Sequence, residues 1–167
     1  MPTGNFRRID LDLIEPGFRE RILDVIAACL ARGFSYHATR GYDTYGAQMA
    51  LWAKGRTVPG PKVTNAKGGQ SAHNFGIAID FVLDKNQVID GIQPDWSVEA
   101  FRVLIEEAQK AGLHSGVQYD DRPHVSLPGY VTASDLLPLH LAWERSQSTQ
   151  ADTLARLREV WKCLPKG

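Results

Sequence analysis

Residues 71 to 80, Ser-Ala-His-Asn-Phe-Gly-Ile-Ala-Ile-Asp, place one imidazole and one carboxylate seven positions apart on either side of an apolar run. From Phe75 onward, Phe75, Ile77, Ile79 and Phe81 share one parity, while Gly76, Ala78, Asp80 and Val82 share the other. Read as a strand, the segment has one packed, greasy face and one small-residue surface that carries a single acid. An ionised aspartate amid so much aliphatic surface is costly without a partner. His73 has the wrong parity for the face of Asp80, so the chain must turn between them, and Asn74 and Gly76 permit a turn.

A second cluster, Asp121-Arg122-Pro123-His124, is followed by Val125-Ser126-Leu127. Taken singly, each histidine reads as an ordinary surface or hydrogen-bonded residue. Taken together, His73, Asp80 and His124 offer two nitrogen donors and one oxygen donor. That is the ligand set of a catalytic zinc (Zn2+) with a coordination position left for water. Asp121, three residues before His124, is then a candidate general base for that water.

The pattern Ser-x-His-x-x-Gly-x-Ala-x-Asp, followed about forty residues later by Asp-x-Pro-His, resembles the zinc peptidases of the D-Ala-D-Ala carboxypeptidase and L-alanyl-D-glutamate endopeptidase group. Enzymes of that group cut bacterial cell-wall peptides, and many phage endolysins belong to it. The stretch from Arg40 through Asp80, with Gly55-Arg56-Thr57-Val58-Pro59-Gly60 and Val63-Thr64-Asn65-Ala66, is most similar to the L-alanyl-D-glutamate branch. The resemblance covers roughly residues 20 to 128.

What it implies is an α+β domain of the hedgehog/DD-peptidase kind, a small antiparallel β-sheet packed with helices, with zinc in a cleft. It further implies that Arg40 faces the metal and that Gln48, on the following helix, supports it. An arginine there could bind a substrate carboxylate or stabilise the oxyanion of a tetrahedral intermediate; the alternative is a surface arginine and a solvated glutamine. Ser71 either donates to the substrate or fixes the turn before His73. Between the third helix and the last ligand the sequence departs from the family, which commonly shows aromatic and Gly-Gly-x-Trp residues. His114 in that stretch reads as an exposed loop residue, with a role in the groove as the alternative.

Elsewhere the periodicity predicts a helix over 16–33 with Phe18, Ile22, Val25, Ile26 and Cys29 inward, and a strand over 34–39. Thr44 caps a second helix whose Tyr45, Met49 and Trp52 read as core. Residues 55–70 form a long loop, expected as one wall of a substrate groove. Val88-Ile89 suggests a short hairpin arm. Ser97 caps a third helix with Val98, Phe101, Leu104, Ile105 and Ala108 inward, and with Glu99, Glu106, Glu107 and Lys110 solvated. Pro123 places its segment at a sheet edge or a strand start. In the tail, Ser134 or Asp135 opens a helix from Leu136 to Trp143 with Pro138 in its first turn. Leu154, Leu157, Val160 and Trp161 form a later apolar stripe. The organisation expected is a zinc peptidase domain over 1–130 and a helical extension over 131–167 packed on it, His140 being structural. A wall-binding or dimerising helix pair is the alternative for the tail.

With 19 basic and 19 acidic residues, formal charge is zero, so nothing draws the chain to nucleic acid or an anionic membrane. Cys29 and Cys163 are distant and lack the spacing of a metal knuckle; idle thiols are expected over a disulfide. No apolar signal region and no run of about eighteen apolar residues occurs. The expectation is a monomer, cytoplasmic until it reaches the cell wall in the manner of a phage lysin, or else exported by another route. Its partner would be the peptidoglycan stem peptide. Three readings stand: an L-alanyl-D-glutamate endopeptidase, a D-Ala-D-Ala carboxypeptidase, and a non-catalytic, zinc-stabilised wall-binding module. Asp121 argues against the last, since a structural zinc needs no base.

Overall fold

The computed structural model describes residues 3–86 and 91–166. Helix α1 (Pro16–Ala31) begins where proline pre-sets the first helical turn, and the Glu15 carboxylate caps it by accepting the Phe18 N–H at 2.6 Å. Its inward face is Phe18, Ile22, Val25, Ile26 and Cys29, as the spacing predicts. Strand β1 (Ser35–Arg40) follows, then α2 (Tyr45–Ala53), capped by the Thr44 hydroxyl. After the 55–70 loop and a 3-10 turn over Ala72–Phe75 come β2 (Ala78–Asp84), β3 (Pro94–Asp95), α3 (Arg102–Lys110), β4 (His114–Gly116) and β5 (Asp121–Ser126). Two helices close the chain, α4 (Ala133–Ser146) and α5 (Thr153–Trp161). The fold is α+β.

The sheet is antiparallel throughout, in the order β1-β2-β5-β4, and β3 adds two residues to the far end of β2. The sheet carries a core on each side. One is built from α1, α3 and the sheet residues Tyr36, Ile79, Phe81 and Val125. The other gathers Phe75, Ile77 and Ala78 beneath Leu136, Leu139, Trp143, Leu157 and Val160 of α4 and α5. The small-residue side of β2 is therefore not a surface: Ala78 lies in the second core and Val82 is buried too. Small side chains there let the tail helices approach closely. Trp161 ties the tail down by donating its indole N–H to the Phe75 carbonyl at 2.7 Å.

Several expectations are corrected by the packing. Met49 is exposed and Tyr45 and Trp52 are only half-buried, whereas the buried residue of α2 is Gln48. Val98 is 65% exposed, because Val98–Phe101 is a 3-10 turn and the helical spacing starts only at Arg102. Ser97 makes no side-chain cap. Glu107 is buried rather than solvated, held between Arg32 at 2.6 Å and Lys110 at 2.8 Å. Helix α4 opens three residues early, because Thr132 and Asp135 form a reciprocal capping box. Pro138 thus falls in the second turn, not the first, and denies the Ser134 carbonyl its helical donor.

Pro123 is not at a sheet edge, since β5 lies between β2 and β4. It is accommodated because the β4 register jumps from Ser115↔Val125 to Gly116↔Asp121, and the β2 ladder reaches only to His124. No ladder bond is asked of it. Cys29 and Cys163 are free thiols, the first buried and pushed up to about 12 by that burial, the second exposed. Val88-Ile89 lies outside the described residues. No helix among the described residues is long and apolar enough to cross a membrane.

Candidate metal centre and catalytic groove

The parity conflict between His73 and Asp80 is resolved by the 3-10 turn. Ser71 caps it, its hydroxyl accepting the His73 N–H at 3.3 Å, and Gly76 ends it in the left-handed region with φ +66°. A Cβ at Gly76 would collide with the Leu13 carbonyl oxygen, so only glycine fits. Asn74, fully buried, braces the turn: it accepts the Gly69 N–H at 3.0 Å and donates to the Asp43 carbonyl at 3.0 Å. The sequence alone marks Asn74 only as turn-compatible, because the carbonyl its amide donates to, that of Asp43, is 31 residues away.

The turn delivers His73 to Asp80, while the β2–β5 register sets His124 directly opposite Asp80. Asp80 Oδ1 lies 3.2 Å from His73 Nε2 and 3.0 Å from His124 Nδ1. The three donor atoms sit within 4.8 Å of one another. The remaining nitrogen of His73, Nδ1, donates to the Gly41 carbonyl at 2.8 Å, which fixes the ring with Nε2 toward Asp80. Two imidazole nitrogens and a carboxylate oxygen, one ring already oriented by a backbone carbonyl, fit zinc with a position to spare.

Charge is arranged accordingly. Burial alone would raise the pKa of Asp80, but the charge of His73 and hydrogen bonds from His124 and His73 outweigh it, holding the carboxyl well below the usual range. Burial likewise favours neutral His124, yet Asp80, and then Asp121, overcome it and raise its pKa. Asp121 is shifted upward, first by burial and then by the Asp80 charge; His124, His73 and Arg40 pull the other way. A carboxylate made more basic than usual beside a cation site is suited to accept a proton.

Arg40, at the end of β1, lies beside the centre. Its Nη1 is 3.8 Å from Asp80 Oδ2, its Nε pairs with Asp43, and its Nη2 donates to Gln48 Oε1 at 2.7 Å. Gln48, only 1% exposed, donates in turn to the Ala66 carbonyl at 2.8 Å. It is neither solvated nor part of the groove wall; it fastens Arg40 to the 55–70 loop. Arg56 stiffens that loop, stacked 4.7 Å from the Trp52 ring and donating to the Thr64 carbonyl.

A groove of about 370 Å3 runs past this centre. Thr64, Asn65, Ala66, Gln70 and Ser71 form one wall, and Asp121, His124, Tyr119 and His114 line another. His114 is thus not an exposed loop residue. It lies in β4, half-buried, facing the groove across from Ser126. Helical and strand periodicity could not find it, because a three-residue strand is too short to show a period. His140 packs against Tyr45, whose hydroxyl is 2.8 Å from its Nδ1, away from this centre.

Comparison with known proteins agrees with this geometry. Residues 12–124 match the VanY family, described as D-alanyl-D-alanine carboxypeptidase. Over 114 residues the chain is 33% identical to the peptidoglycan L-alanyl-D-glutamate endopeptidase CwlK of Bacillus subtilis (strain 168). That alignment covers 60% of this chain and 65% of CwlK, so the chain spans just under two thirds of that relative. The family match ends at His124, leaving α4 and α5 outside it.

Proposed function

The chain belongs to the VanY family of D-alanyl-D-alanine carboxypeptidases, and on that premise we propose that it is a zinc-dependent peptidoglycan peptidase cutting the L-alanyl-D-glutamate bond of stem peptides. The observation that carries the reading is the meeting of His73, Asp80 and His124 around one point, with the basic-shifted Asp121 on the same groove. The choice of bond rests on the likeness to CwlK.

His73 Nε2, Asp80 Oδ1 and His124 Nδ1 would hold the ion. Zinc, when bound, supplies a Lewis acid for the scissile carbonyl and acidifies water. The protein's own residues do the rest. Asp121 takes the proton of the attacking water, the transfer its raised pKa favours, and then passes that proton to the leaving amine. Arg40, kept in place by Asp43 and Gln48, offers positive charge to the oxygen that becomes anionic. Ser71 and Asn74 keep the turn of His73 in register. The site of action would be the cell wall.

The family description favours a second reading, removal of a terminal D-alanine by the same chemistry. Digesting purified cell wall with the zinc-loaded protein separates the two. New D-glutamate amino termini are expected; free D-alanine would point to the carboxypeptidase, and no product at all would remove both.

A further inference from the structure

His114 lines the groove without a hydrogen-bond partner for its ring among the described residues. Its ring neighbour is Tyr119, tilted by 50° at 6.3 Å between centroids. Half-buried rather than sealed, the imidazole stays accessible from the groove. The polar side chains of the facing wall are engaged within their own stretch of chain. Thr64 accepts the Ala66 N–H, Asn65 accepts from Arg56, Gln70 accepts the Lys67 N–H and Ser71 accepts the His73 N–H. His114 has no such commitment.

Its position relative to the metal centre follows from the strands. His114 pairs with Ser126, two residues beyond His124 on β5, so His114 and His124 share one face of the sheet. Spacings of about 4.8 Å between strands and about 7 Å along two residues set their Cα atoms roughly 8 Å apart. In an extended peptide the next peptide group lies about 3.8 Å from the scissile one. A chain that runs along the groove with its scissile carbonyl at the metal centre therefore brings a neighbouring peptide group within reach of the ring. Burial first, and then the His124 charge, lower the pKa of His114. At neutral pH the uncharged ring has one N–H to donate and one lone pair to accept. A peptide group offers the complement, one acceptor and one donor.

We propose that His114 anchors the substrate by hydrogen-bonding the peptide group that adjoins the scissile one, and so sets where the chain lies against the ion. The proposal rests on the groove being the peptidase site. The probes are an N-acylated stem peptide and two shortened versions, each missing the peptide group next to the cut bond on one side. Steady-state kinetics are measured for zinc-loaded wild type, His114→Ala and His114→Gln. His114→Ala should raise KM for the full peptide about three- to tenfold, the worth of one net hydrogen bond, while kcat stays within about twofold and zinc stoichiometry is unchanged. His114→Gln, which keeps a donor and an acceptor, should recover most of the loss. One shortened peptide should be insensitive to His114→Ala, and that one identifies the side on which the anchored group lies. An unchanged KM for the full peptide, a fall in kcat instead, a Gln variant no better than the Ala variant, or an equal effect on every peptide would each overturn the anchor. If the wild type released no product from cell wall, the peptidase reading would fall and the anchor with it. Normal wall digestion beside an unchanged KM in His114→Ala would remove the anchor alone.

Discussion

Asp121 and His124 are three residues apart and share a groove, but they have different tasks, and substitution separates them. Asp121 lies outside the cluster of three donors, so Asp121→Asn should keep one zinc per chain while lowering kcat by roughly 10²–10⁴-fold, the usual worth of a positioned base. Metal analysis beside a cell-wall turbidity assay checks both halves. His124 must be neutral to bind metal, and Asp80 together with Asp121 raises its pKa in the metal-free protein. Protons therefore compete for it at higher pH than for a histidine at its ordinary 6.5. Zinc affinity should be highest above the raised value and fall as pH drops through it, which calorimetric titrations between pH 8 and 5.5 would show. The three ligands were legible in the sequence because metal chemistry demands those side-chain types and few others. The support that Gln48 gives Arg40 was legible only through the family resemblance, because amphipathic reasoning alone turns a helical glutamine outward.

The element that most shapes the groove is β5 with its irregular pairing to β4. Gly116 faces Asp121 across the bulge, and a Cβ there would run into the Asp121 carbonyl oxygen. Gly116→Ala should cost about 1–3 kcal/mol, as overpacked sites do, seen as a lower urea midpoint with an unchanged slope. Because the backbone that must give way carries Asp121, activity should fall further than stability alone explains. Helix α1, strand β1 and the turn around Gly76 were readable from period and glycine placement. The bulge was not, since register is a property of two strands and neither one announces it. Pro123 points to an irregularity but not to its location. Likewise the Thr132–Asp135 capping box moved the start of α4, because Ser134 and Asp135 look like equally good caps until the geometry picks Thr132.

At the scale of the whole molecule, the sheet is packed on both sides, and the two cores support different parts of the site. The α1–α3 core backs β1, β2 and β5, which carry Arg40, Asp80 and His124. The core under α4 and α5 backs the turn that carries His73, through Phe75 and its bond to Trp161. Alternation along β2 revealed only the first core, because alanine and glycine on the opposite parity look like solvent-facing spacers. The central claim remains that these separately supported side chains meet to hold one ion. Titrating the metal-free protein with zinc in a calorimeter, beside His124→Ala, tests it most directly. The account predicts one equivalent bound by the wild type and none by the variant over the same range. Failure of the wild type to bind, or binding unchanged by the substitution, would contradict it.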